Sequence, residues 1–180
     1  ITVSGNTLRI YLDDAKVVDK TEKNGWHERK GRYEGASVTA YVTYKELEHL
    51  EIRGNQELTC LSPIRAETFT LRAYGENEIT LASLKTRYFR TSLYGENTLK
   101  ITSGKARIQK YRLFGENKID TQGFISDETI TNIYGESKIR LTSEDRLKVN
   151  AFGESRVMYN GNAQVNKRII IGETRISKLD

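Results

Sequence analysis

Residues 74–81 read YGENEITL, 94–101 read YGENTLKI and 114–121 read FGENKIDT. The block recurs as YGESKIRL at 134–141, FGESRVMY at 152–159 and IGETRISK at 171–178. The glycines Gly75, Gly95, Gly115, Gly135, Gly153 and Gly172 are separated by steps of 20, 20, 20, 18 and 19 residues. A weaker copy, RGNQELTC at 53–60, places Gly54 21 residues before Gly75. Punctuation at this period is the signature of a repeat architecture. A leucine-rich repeat has a similar period, but its LxxLxLxxN pattern is missing.

Around each glycine the side chains alternate. Two positions before it stand Ile52, Ala73, Leu93, Leu113, Ile133, Ala151 and Ile170; four after it stand Leu58, Ile79, Leu99, Ile119, Ile139, Val157 and Ile176. The odd positions are mostly Arg, Lys, Glu, Thr and Asn. A period of two with one apolar set predicts strands, and no 3.6-residue pattern occurs between 52 and 180. One such arm cannot bury its apolar side alone, whereas stacked copies can. A chain that returns to the same place every 20 residues pairs its strands parallel and in register. The sequence therefore predicts an all-β fold, a parallel β-helix of about seven coils. Its expected hand is right, from the general preference of parallel crossovers. At about 4.8 Å per coil the rod is on the order of 30 Å long.

The repeat also assigns roles. Glycine marks a corner where the backbone bends or a side chain would collide with the coil. Asn77, Asn97 and Asn117, followed by Ser137, Ser155 and Thr174, form an inward polar ladder. Glu76, Glu96, Glu116, Glu136, Glu154 and Glu173 form an outward column. Lys118, Lys138, Arg156 and Arg175, two residues further on, are placed to neutralise it. Steps of 18 and 19 put the tolerant return segment near TSEDR at 142–146.

Residues 1–52 break the pattern and read as an amino-terminal cap, with 53–180 as the coils. Leu8, Ile10 and Leu12 alternate, as do Val38, Ala40 and Val42, which predicts two strands. The polar stretch 13–36, with Trp26 and His27, reads as an exposed loop or hairpin extension.

Composition sets the limits. The 180 residues carry 29 Lys+Arg against 24 Asp+Glu, a net charge of +5, with 37% hydrophobic content. That excludes a disordered polyelectrolyte, and no apolar run of roughly 18 residues is present to span a membrane as a helix. One cysteine, Cys60, excludes an internal disulfide. With only His27 and His49 beside it, the usual zinc ligand set is missing. Ile1 opens directly into ITVSGNTLRI, so no targeting segment is legible.

YKELEHLEIRGNQEL at 44–58, the glycine-marked coils and YNGNAQVNKRIIIGETRI at 159–176 together resemble the auto-transporter adhesin, head GIN domain family. Coils reading SGSGDI there are replaced here by YGENxI, and the closing Y-x-G-x-P carries Ala163 in place of proline. The resemblance covers about 1–178. It implies a β-helical, non-enzymatic protein that is secreted, periplasmic or on the cell surface, and further strand sequence upstream of Ile1.

Two outward features are candidate binding sites. The column Tyr74, Tyr94, Phe114, Tyr134 and Phe152 is either a platform for sugar rings or a partner's apolar patch, or a set of rings stacked on one another. The second is a cluster in which Lys85 stacks on Lys105, Arg87 on Arg107 and Arg90 on Lys110, with Tyr88 and Tyr111 nearby. It is either a polyanion site or a solvated basic face, and Asp127, one coil beyond Arg107, argues for the latter. Nucleic acid is the less expected partner. The expected partners are a glycan or a surface protein, with self-association through the final coil as the alternative.

The remaining chemistry is thin. Calcium coils use Asp-rich Gly-Gly repeats, which the Glu column does not match, and Asp13, Asp14 and Asp19 make no better metal site. A polysaccharide-cleaving enzyme needs two carboxylates at a singular break in the pattern, whereas these recur on every coil. Cys60 falls at an inward position and reads as a small buried hydrophobe, His49 as a surface residue. No enzyme, metal or cofactor is expected.

Overall fold

A computed structural model describes residues 1–12 and 38–179. The expected Trp26 loop falls outside them. The described chain is all strand and turn, in two compact units, Ile1–Thr43 and Tyr44–Asp180. In the first, β1 (Thr2–Ser4) and β2 (Thr7–Arg9) form an antiparallel hairpin. Leu8 lies within it, and Ile10 and Leu12 lie beyond its last pair. The alternation at Val38, Ala40 and Val42 does not become a strand. These residues are exposed and have no pairing partner among the described residues, and alternation alone supplies no backbone hydrogen bonds.

The second unit is the solenoid. Its strands are β3 (His49–Cys60), β4 (Ile64–Leu81), β5 (Leu84–Ile101), β6 (Gly104–Tyr134), β7 (Ser137–Phe152), β8 (Ser155–Asn160), β9 (Gln164–Ile171) and β10 (Thr174–Lys178). Every pair is parallel, in the order β3-β4-β5-β6-β7-β8-β10, with β9 on β7. The register places each repeat on its own copy: Gly54 on Gly75, Gly75 on Gly95, Gly95 on Gly115. The coils make about six turns.

Alternation becomes core. Leu71, Ala73, Ile79, Leu81, Leu93, Leu99 and their apolar counterparts from Leu113 to Val157 are buried to 2% exposure or less, while Leu58 and Ile176 in the end coils are half-buried. Each buried Leu or Ile contributes about 1.5–3 kcal/mol. Inside the coils Phe69 stacks on Phe89, whose edges meet Tyr111 and Phe124 at 5.9 and 5.6 Å. Phe124 explains the short coil. Between Thr121 and Ile125 the register slips by three residues against Leu141 and Thr142. Phe124 fills the core of one coil; the next coil omits Gln122-Gly123-Phe124 and regains one residue between Ser126 and Glu128, which leaves it two residues shorter.

The corner glycines have φ between +93° and +123° from Gly54 to Gly172, a left-handed region hostile to other residues. Crowding adds to this. A Cβ on Gly95 would lie 2.4 Å from the carbonyl oxygen of Gly75, because the coils approach through their bare backbones. Just past the corner the amides stack as expected. Asn77 Nδ2 donates to Asn97 Oδ1 at 2.9 Å, and Asn97 Nδ2 to Asn117 Oδ1 at 3.3 Å. Nδ2 of Asn77 and of Asn117 also reach the carbonyls of Tyr74 and Phe114, tying these two rungs to their own corners. Ser155, too short to reach its neighbours, donates to Gly135 O at 3.3 Å instead.

Two stability measurements check these roles. Gly95→Ala should lose about 1–3 kcal/mol from backbone strain, plus the clash with Gly75. Gly54→Ala shares the strained φ but has no atom nearer than 3.4 Å, so its urea midpoint should fall less. Asn97→Ala, which takes one partner from each of the buried amides above and below it and leaves Asn117 Oδ1 without a donor, should cost about 1–3 kcal/mol, more than the roughly 1 kcal/mol of Ser155→Ala.

Candidate functional site

The register puts the predicted aromatic residues into one file. Centroids of Tyr74 and Tyr94 lie 4.9 Å apart, of Tyr94 and Phe114 4.7 Å, of Phe114 and Tyr134 4.9 Å, and of Tyr134 and Phe152 5.0 Å. Their planes agree within 5°. The guanidinium of Arg53 covers the free face of Tyr74 at 5.0 Å and is itself held by Glu51 at 2.7 Å. At the other end Ile171 pairs with Phe152. Each interior ring therefore spends both faces on its neighbours, worth about 0.5–1.5 kcal/mol per pair beyond burial. Solvent sees ring edges and the phenols, with Tyr94 36% and Tyr134 42% exposed.

The basic cluster divides. Lys85 stacks on Lys105 and Arg90 on Lys110, as expected, and Arg65 extends the first column by one coil. Arg87 is engaged by Glu67 at 3.3 Å and lies over the Tyr88 ring. Asp127, expected beside Arg107, instead reaches Lys105 at 3.8 Å. Tyr111 does not border the patch. It pairs with inward-facing Thr91 and is wholly buried, its hydroxyl donating to Gln109 Oε1 at 2.6 Å and pairing with Thr121 Oγ1. That burial pushes its phenol well above the usual range.

The sequence reading missed a strip. Period-two alternation sends Arg72 and Arg112 to the same side as Tyr74 and Phe114, two residues away, with Arg90 and Lys110 two residues further out. Arg72, Arg90 and Arg112 are exposed. One sheet face thus carries a file of ring edges with four cations beside it, Arg72 and Arg112 being separated by Ser92. The signal was available in the offset from glycine, which the eye spends on the GEN motif.

Past the glycine corner a groove of about 830 Å³ runs along the coils. Its lining includes the six-carboxylate column from Glu76 to Glu173 and the residues two places beyond each. The expected neutralising cations face this groove without direct pairing. Among the described residues no ion pair within 4.0 Å joins Lys118, Lys138, Arg156 or Arg175 to the column. The positions beyond the carboxylates change from Glu57, Glu78 and Thr98 to Lys118, Lys138, Arg156 and Arg175, so the groove is acidic at its β3–β5 end only.

Cys60 is half-buried rather than buried, with Sγ 3.2 Å from the Tyr44 hydroxyl. The Tyr44 phenol is pushed up to about 12 by desolvation and by that bond. Among the described residues no helix is long and apolar enough to cross a membrane.

Comparison with known proteins follows this architecture. The crystal structure of a putative adhesin from Parabacteroides merdae ATCC 43184 is similar, with a TM-score of 0.62 and 18% identity. The match covers 74% of this chain and 64% of that one, a likeness of fold. No curated protein matches the sequence. A family model matches residues 1–163, and the chain belongs to the family described as putative auto-transporter adhesin, head GIN domain.

Proposed function

We propose that this chain is a non-catalytic, secreted or surface-exposed binding module, and that its contact face is the aromatic file with the cations beside it. The ligand is an extended anionic glycan lying parallel to the coil axis. The observation that carries this reading is the shared face. Tyr94 and Tyr134 present edges and hydroxyls, while Arg72, Arg90, Lys110 and Arg112 stand alongside. Arg90 and Lys110 lie one coil apart, Arg72 and Arg112 two, so the cations recur at multiples of about 4.8 Å, a spacing that suits a polymer better than a compact ligand. Because the ring faces are occupied, sugars meet the file through edges and hydroxyls rather than by stacking. Recognition then depends on guanidinium and ammonium contacts to carboxylate or sulfate groups. Family membership supports the adhesin-like role.

Binding to immobilised acidic and neutral polysaccharides tests this. The native chain should retain on the acidic matrix at low ionic strength and elute as salt rises. Arg90→Glu with Lys110→Glu should abolish retention, and Tyr94→Ser with Tyr134→Ser should weaken it, both with unchanged circular dichroism. Equal retention on the neutral matrix, or none on the acidic one, would overturn the proposal.

A further inference from the structure

The two ends of the solenoid are alike in pattern and opposite in charge. Among the described residues, the outer edge of β3 pairs with no strand at one end, and β9 and β10 are the last strands at the other. Residues 51–60 read EIRGNQELTC and 169–178 read IIIGETRISK. Inside the molecule each corner glycine rests on the one before it. Extending that register by one step sets Gly172 of one copy on Gly54 of the next.

In that register the side chains correspond. Ile170 and Ile176 fall on Ile52 and Leu58, apolar on apolar. Arg175 falls on Glu57, and both are exposed without an ion-pair partner among the described residues. Thr174 Oγ1, the last rung of the polar ladder, is buried with no hydrogen-bond partner. It falls on Gln56, whose amide is exposed at the first rung.

We propose that copies of this chain stack head to tail, the β9–β10 end of one on the β3 end of the next, with Arg175 paired to Glu57 across the junction. Charge sets the polarity. Glu57 against Glu57 and Arg175 against Arg175 repel, so head-to-head and tail-to-tail contacts are disfavoured. The contact is heterologous, and repeating it along one axis does not close, so the product is an open filament rather than a closed dimer.

Sedimentation velocity of the 180-residue chain across a wide concentration range tests this. The native mass should rise with concentration without a plateau at two copies, and should fall on adding salt. Arg175→Glu and Glu57→Arg, each alone, should weaken association about tenfold or more. An equimolar mixture of the two single variants should recover it, because each free tail then meets an opposite head; so should the double variant. Thermal melts matching the native chain show that the variants are folded. A monomer at every concentration, a plateau at the dimer, or single variants that associate like the native chain would each overturn the proposal.

Discussion

Outside the few register slips, residues of neighbouring coils lie against their counterparts one coil away, at the distance set by backbone hydrogen bonds. That is the constraint on which the rest depends. Parallel, in-register pairing admits only residues that tolerate a copy of themselves about 5 Å off. Asparagine does so by donating to the next amide and accepting from the previous one, aromatic rings by lying face to face, glycine by letting two backbones touch. Glutamate does not, and its column is found where a groove keeps the carboxylates in water, with cations opposite over half its length.

The same constraint explains what was legible beforehand. A glycine column with buried residues at fixed offsets determines register outright, so the parallel coils, the amide ladder and the aromatic file all followed from spacing. Parity assigns sides only when counted from the glycine of the same coil, and Tyr111 stands four residues before Gly115, an inward offset. Tyr111 reads as a neighbour of Lys110 on the surface, yet its position is the inward one occupied by Thr91 in the preceding coil. Asp127 is one coil from Arg107 by counting, but the chain slips register around it and its carboxylate reaches Lys105. At Val38–Val42 the pattern was present and the pairing partner was not. Alternation is a necessary sign of a strand; the neighbouring strand decides.

The candidate sites differ in kind for the same reason. Aromatic rings, once stacked, are spent mainly on the fold, and what they leave for a ligand is a narrow line of edges. Arg72 and Arg112 gain importance because they border that line and have no ion pair among the described residues. Membership of an adhesin-like family gives a reason for such a face. The identity of the ligand rests on the chemistry of these few side chains, since the coils themselves serve many roles.

The direction of the backbone bonds has a mechanical corollary. Hydrogen bonds between coils run along the rod, so tension applied along its length opens them one coil at a time rather than shearing a whole sheet at once. Each released coil of 20 residues frees up to roughly 70 Å of slack chain. A rod so built lengthens stepwise under load, the terminal coils yielding first while those between them keep their shape.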